Sequence, residues 1–210
     1  MDPQVGEPAR GPSLGERIRY IGRDQATGRP TIVDDHFIAE VERAVERYGQ
    51  DETEPIPPPP VTGRDLARLK VPAIGVDAPI ERLGLDRFGR LDVPQDDTTV
   101  GWNPGYTSLP GEGRSTFLAA HYTFAGRPGV FNRLSTLRRG DLAMVVDSEG
   151  GAFVYRVTSV IDCALGAIDM GALLQGREGV ESLTLMTCSG PPDEGEYPLR
   201  TVVLAERAED

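Results

Sequence analysis

From Leu66 to Ala205 the chain is a succession of short apolar runs cut by turn residues. The runs are LARLKVPAIG (66–75), APIERLGL (78–85), STFLAAHY (115–122), DLAMVVD (141–147), AFVYRVTSVI (152–161), SLTLMTC (182–188) and RTVVLAE (200–206). Runs of this length, alternating apolar and polar positions and bounded by Gly, Pro, Asp or Ser, read as β-strands. The SEGG link at 148–151 reads as a hairpin turn between two of them. The 25 glycines and 18 prolines fit many turns better than long helices. Many short strands at close spacing have two solutions, a sandwich or a closed barrel. Helical turns are expected only at PGVFNRLSTL (128–137), where Pro128 suits a helix start, and at MGALLQ (170–175).

Upstream the texture differs. Residues 1–32 are rich in Gly, Pro and charge and read as disordered or loosely packed. Within 33–62, Phe37, Ile38, Val41, Ala44, Val45 and Tyr48 recur at helical spacing between charged residues, with Asp34 or Asp35 available as N-cap. That amphipathic helix either packs on the main domain or serves as a lid or partner-binding helix. The run DETEPIPPPP (51–60) reads as a semi-rigid polyproline spacer. The main β-rich domain is then 63–210.

Composition excludes several functions. The net charge of −11 argues against nucleic acid, whose binding rests on Lys and Arg neutralising phosphates. Two cysteines and two histidines make no zinc cage. Asp96, Asp97 and Glu181 form no recognisable calcium pattern. No metal or other cofactor is therefore expected. No run of about 18 apolar residues spans a membrane, and the polar first ten residues are no signal peptide. The chain as given reads as soluble, with any membrane anchor lying outside it.

Three residues could carry chemistry. Cys188 ends an apolar run and precedes Ser189-Gly190-Pro191-Pro192, which puts its thiol at the rim of a sheet where substrate reaches it. Taken alone it would read as a small buried hydrophobe, as free cysteines often are. His121 ends the run from Thr116, and imidazole suits proton transfer near neutral pH. Arg200 opens the strand 12 positions after Cys188. If those two strands are antiparallel neighbours, thiol and guanidinium share one end of the sheet, where arginine can stabilise an oxyanion.

The runs TLMTC, AAHYTF and RTVVLA together resemble the signatures of the sortase family. The likeness runs from about Leu66 to Ala205. It includes the opening Val71-Pro72-Ala73-Ile74-Gly75-Val76-Asp77-Ala78-Pro79-Ile80, the segment PGEGRSTFLAAH (110–121) and the later Phe131-Asn132-Arg133-Leu134 with Gly140-Asp141. PGEGRSTFLAAH is similar to the corresponding run of actinobacterial class F and class E sortases, and Cys-Ser-Gly at 188–190 is closer to class F. Ala120 stands where the family usually has glycine, and its methyl is expected to tighten the groove floor.

The resemblance implies an all-β fold, an eight-stranded closed barrel with short helices, here with an N-terminal helical and extended appendage. It implies a cysteine transpeptidase with Cys188 as nucleophile, His121 as acid and base, and Arg200 as oxyanion and backbone clamp. The substrate would be an LPxTG-like sorting signal of a surface protein, cut between Thr and Gly. The acyl fragment would pass to an amine of a peptidoglycan precursor or pilin, on the outer surface of a Gram-positive, actinobacterial cell. A sortase-fold peptidase that mainly hydrolyses and a non-catalytic binding module are the alternatives. Period-two alternation puts Thr184 and Met186 on the face of Cys188, Val202 on that of Arg200 and Ala119 on that of His121. These four are the expected signal-binding wall, although alternating apolar residues also face cores. Cys163 is expected to be a buried structural thiol, not disulfide-bonded to Cys188.

Overall fold

The computed structural model describes residues 55–60, 63–164, 167–177, 179–192 and 197–208, with the backbone of 22–23 and 30–32. The strands are β1 (Gly22–Arg23), β2 (Pro30–Ile32), β3 (Leu66–Val71), β4 (Val76–Arg82), β5 (Val100–Trp102) and β6 (Ser115–Ala119). There follow β7 (Thr123–Phe124), β8 (Arg127–Pro128), β9 (Leu142–Asp147), β10 (Ala152–Ala164), β11 (Ser182–Ser189) and β12 (Leu199–Arg207). Among the described residues a short α-helix, α1 (Met170–Gln175), begins where the Asp169 carboxylate accepts from Ala172 N–H at 3.0 Å.

Eight of these strands close on themselves in the order β10-β12-β11-β6-β5-β4-β3-β9, with β9 pairing back to β10. This is the closed barrel expected. It is a mixed barrel, because β6 runs parallel to β11 and β4 parallel to β5. The 13 residues of β10 serve two neighbours on one edge. Its first five pair with β9, while Asp162 and Cys163 pair parallel with Thr31 and Ile32 of β2. Two short strands of the segment read as loose thus lie in the sheet, and the amphipathic helix expected at 34–48 lies outside the described residues.

The barrel's interior follows from alternation. Thr116, Leu118 and Ala120 on one chain segment, Leu183 and Leu185 on β11, and Val203 and Ala205 on β12 are all buried inward. With Leu69, Val71, Val100, Trp102, Val145, Tyr155 and Val157 they form one continuous apolar core. The intervening residues of β6, β11 and β12 face outward, and they include the chemistry-bearing positions. The Tyr155 phenol lies in the core and donates to Glu181 Oε1 at 2.9 Å, and its burial raises its pKa. The same carboxylate oxygen accepts from Gly111 N–H at 3.0 Å, which ties the loop before β6 to the start of β11.

Two expectations need correction. Pro128 starts no helix; it sits in β8, in a hairpin with β7 that turns through Ala125 (φ 48°) and Gly126 (φ 77°). A two-residue turn with both φ positive matches strand twist, and the backbone is held there despite the alanine Cβ. Within 128–137, Leu134–Thr136 forms a 3₁₀ turn. The proline segment is also more than a spacer. Ile56 exchanges two backbone hydrogen bonds with Leu85, at 3.0 and 2.8 Å, and a Cβ on Gly84 would stand 1.8 Å from Ile56 O. The polyproline stretch is therefore docked on the barrel.

Truncating Leu185, which is fully buried, to alanine should cost about 3 kcal/mol of unfolding free energy, within the range for core leucines. Urea denaturation measures this. Exposed Val93→Ala should change stability by less than about 0.5 kcal/mol.

Candidate active site

Register brings the three candidate residues to one rim. Cys188 of β11 is paired directly with Arg200 of β12. On the other side of β11, Met186 pairs with Ala119 of β6, and Ala120 N–H continues that ladder to Met186 O at 3.3 Å. Two positions further along both parallel segments stand Cys188 and His121. The Thr187 hydroxyl donates to Ala120 O at 2.8 Å and pins the pair where the ladder ends. Arg200 is also paired with Cys163 of β10. The result is a row in which Cys188, Arg200 and Cys163 lie on three adjacent strands about 4.8 Å apart, with His121 beside Cys188 on the segment that continues two residues past the end of β6.

The two thiols differ in kind. Cys188 is half-buried, while Cys163 is only 7% exposed. Burial, with the Asp162 carboxylate, pushes the Cys163 thiol up to about 11, and Arg200 offsets this in part. Cys163 Sγ is 3.7 Å from Arg200 O, its hydrogen-bond acceptor. With Arg200 between them, the thiols are two strand spacings apart, about 10 Å between Cα atoms. That is beyond the ~7 Å a disulfide tolerates. Both cysteines are free.

His121 is held by its backbone and its ring. Its carbonyl accepts from Phe131 N–H at 3.1 Å. Gly129 packs on it so closely that a Cβ would lie 2.2 Å from His121 O. Nε2 lies 2.7 Å from Pro94 O, and a carbonyl only accepts, so Nε2 carries the proton and Nδ1 is the nitrogen left for proton exchange. Phe124 flanks the ring at 5.0 Å between centroids. Arg200 is aimed by two backbone bonds from one nitrogen, to Tyr197 O and Leu199 O at 2.9 Å each. A guanidinium has five N–H donors, so donors remain for a ligand.

Three loops meet around this row. Tyr197, ahead of β12, shares a hydrogen bond of 2.9 Å with the Thr123 hydroxyl and sets its ring edge-on to Tyr122 at 5.4 Å. Arg127 of the β7–β8 hairpin pairs with Asp97 at 3.0 Å. Asp96 beside it accepts from the backbone N–H groups of Thr98 (2.6 Å) and Thr99 (2.8 Å) and from both threonine hydroxyls. This turn holds the loop that presents Pro94 O to His121.

The four expected wall residues all lie on the outer face with Cys188. Ala119 and Met186 are half-buried, whereas Thr184 (2% exposed) and Val202 (3%) lie beneath the surface. The expectation for Ala120 is corrected. Its side chain faces the barrel core, 7% exposed, so its methyl fills the interior and leaves the groove floor unchanged. Pro94, Gly129 and Tyr197 escaped the sequence reading, in which Asp96 figures only as a loop carboxylate. Of these only Gly129, next to a proline in a run otherwise read as helix, carried a signal. Among the described residues no cluster of three or more His, Cys, Asp or Glu could hold a metal ion, and no helix is long and apolar enough to cross a membrane.

The Asp96 turn predicts a pH dependence. Hydrogen bonds from Thr98 N–H first, then from the threonine hydroxyls, bring its carboxyl down from 3.8 to about 2. A depressed folded pKa stabilises above the unfolded value and is lost as pH falls through the folded one. The stability gap between the parent and Asp96→Ala should therefore hold constant from pH 7 to about 5 and close between about 4 and 2, read by urea titration at each pH.

The comparisons with known proteins agree with this fold. The Sortase domain family matches residues 69–208. The barrel is similar to sortase A from Corynebacterium diphtheriae, a lid mutant, at 19% identity and a TM-score of 0.55, over 82% of this chain and 95% of that one. It is similar to sortase C-1 from Actinomyces oris at 24% identity and a TM-score of 0.54, over 84% of this chain and all of the other. The pilus-related sortase C of Group B Streptococcus gives 18% and 0.55, over 84% and 92%. A comparison with curated proteins finds no match. A family match over two thirds of the sequence, on a closed barrel, shows that the chain belongs to the sortases, a family of cysteine transpeptidases.

Proposed function

We propose that this protein cleaves an LPxTG-like sorting signal between Thr and Gly and transfers the acyl fragment to an amine, acting outside the membrane of a Gram-positive cell. The observation that carries this reading is the pairing of Cys188 with Arg200 on adjacent strands at one barrel rim, with His121 on the segment that leaves the neighbouring β6 at the same end. In the first step the Cys188 thiolate attacks the Thr carbonyl carbon. The oxyanion that forms meets the remaining Arg200 donors. His121, its Nε2–H tied to Pro94 O, gives a proton from Nδ1 to the departing glycine amine, leaving a thioester on Cys188. An incoming amine then attacks the thioester, His121 takes its proton, and Cys188 departs as thiolate. Water in place of the amine would give hydrolysis.

The signal's Leu and Pro would lie against Ala119 and Met186, the wall residues that keep surface, with Thr184 and Val202 supporting them from below. Cys-Ser-Gly at 188–190 and the run 110–121 favour a class F-like enzyme. The acceptor would be a peptidoglycan precursor or a pilin amine.

A fluorogenic LPxTG peptide with pentaglycine, a diaminopimelate-type amine or water as acceptor tests the reading. Cys188→Ala should fall to background, and a variant as active as the parent would end the proposal. Gly129→Ala should lose at least about tenfold in kcat/KM, because displacing His121 by a few tenths of an ångström spoils proton transfer. A thiol reagent at neutral pH should label Cys188 well before Cys163, whose thiol near 11 holds on the order of a hundredfold less thiolate than a free cysteine. Near-equal labelling would contradict the assignment of roles.

A further inference from the structure

A short run of hydrogen bonds joins the proline segment to the imidazole of His121. Ile56 N–H donates to Leu85 O at 3.0 Å, and Leu85 N–H donates to Ile56 O at 2.8 Å. Leu85 also bridges antiparallel to Leu91, so Ile56, Leu85 and Leu91 lie side by side in the connection from β4 to β5. Next to this pair, Gly84 O accepts from Asp92 N–H at 3.1 Å and from the side-chain amide of buried Asn103 at 2.9 Å. Pro94 follows Asp92 by two residues, and its carbonyl lies 2.7 Å from His121 Nε2.

The joints of this run are stiff. The Asp86 carboxylate accepts from Phe88 N–H and Arg90 N–H at 2.9 Å each, which closes the tip of the loop. The Pro94 ring packs on Gly101, where a Cβ would stand 3.0 Å from its Cδ. Arg82 fixes the proline segment at a second point: it donates to Pro59 O, pairs with Asp65 at 3.1 Å and lies over the Trp102 ring. The Ile56 side chain is nevertheless 52% exposed. A segment serving stability alone would bury its isoleucine. This one leaves it in solvent and engages the loop through main-chain groups.

We propose that the Ile56–Leu85 backbone pair is a positioning contact for catalysis: residues 55–60 brace the 84–94 loop and so fix the Pro94 carbonyl that holds the His121 ring. The inference rests on the transpeptidase reading for what His121 does. Without the brace the Pro94 carbonyl shifts, Nε2–H loses its fixed acceptor, and Nδ1 moves off the line to the leaving amine. Misplacement on that scale slows chemistry. Signal binding is made by β6 and β11 and stays as it was.

The test is made in the full chain. Ile56→Pro deletes the N–H and sets a ring against Leu85 O, in a segment that already has proline on both sides. With the fluorogenic LPxTG peptide, kcat should fall about five- to tenfold while KM stays within about twofold. Ile56→Ala keeps the N–H and should keep the parent's kcat. Gly84→Ala, whose Cβ would displace Ile56 O, should lose a similar factor, and the double variant with Ile56→Pro should be no slower than the slower single. In a His36→Gln background His121 is the one imidazole of the chain. There its Nε2–H should give a slowly exchanging ring-proton NMR signal in the parent and in Ile56→Ala, lost to exchange in Ile56→Pro. An unchanged kcat or ring signal in Ile56→Pro, a parent without the signal, or losses that multiply in the double variant overturn the brace and leave the chemistry standing. If the parent cuts no peptide but the ring signal disappears in Ile56→Pro and persists in Ile56→Ala, the brace stands and the transpeptidase reading falls.

Discussion

The parallel pairing of β6 with β11 is the contact on which the rest of the molecule depends. It joins segments about seventy residues apart, and its register sets which side chain of each strand faces out. A slip of one residue would turn His121 toward the core and bring Ala120 out in its place. The register is guarded from both sides. Leu118 and Leu185 must stay in the core, and the Thr187 hydroxyl reaches across to Ala120 O. Apolar burial thus fixes the geometry of a polar site.

Antiparallel pairing of β11 with β12 adds the third member, and long loops supply the orientation. Pro94 O, Tyr197 O and the packing of Gly129 each act through backbone atoms, so the imidazole and guanidinium are aimed by rigid groups. Those loops are in turn stitched to one another by Asp97 with Arg127 and Tyr197 with Thr123. Several weak surface interactions are coupled here, and coupling raises their worth above that of isolated exposed pairs.

Much of this is legible from residue patterns, and the remainder is hidden for definable reasons. Seven of the eight barrel strands stand out as apolar runs. The eighth, β5, has only three residues, one of them Gly101, which lets Leu83 and Pro94 approach where a Cβ would stand 2.6 Å from Leu83 Cδ1. A period-two signal cannot develop over such a length. Barrel and sandwich look alike in alternation, and closure depends on the remote pairing of β9 with β3, added to its local hairpin with β10. The hairpin at 123–128 escapes notice because alanine fills a turn position that usually calls for Asn, Asp or Gly. Cys188, His121 and Arg200 are readable because each side chain carries its own chemistry. Pro94 and Tyr197 act on them through carbonyl oxygens, and a carbonyl leaves no mark in a sequence.

The adjacency of His121 and Cys188 can be captured covalently. In a Cys163→Ala background, the thiol introduced by His121→Cys would face Cys188 about one strand spacing, ~4.8 Å, away, within the span of a disulfide. Mild oxidation followed by thiol counting and peptide mass mapping is the measurement. The account predicts an intramolecular disulfide between the introduced thiol and Cys188 in the monomer. Two free thiols after oxidation, or bonds formed only between molecules, would mean that the two positions do not share a rim.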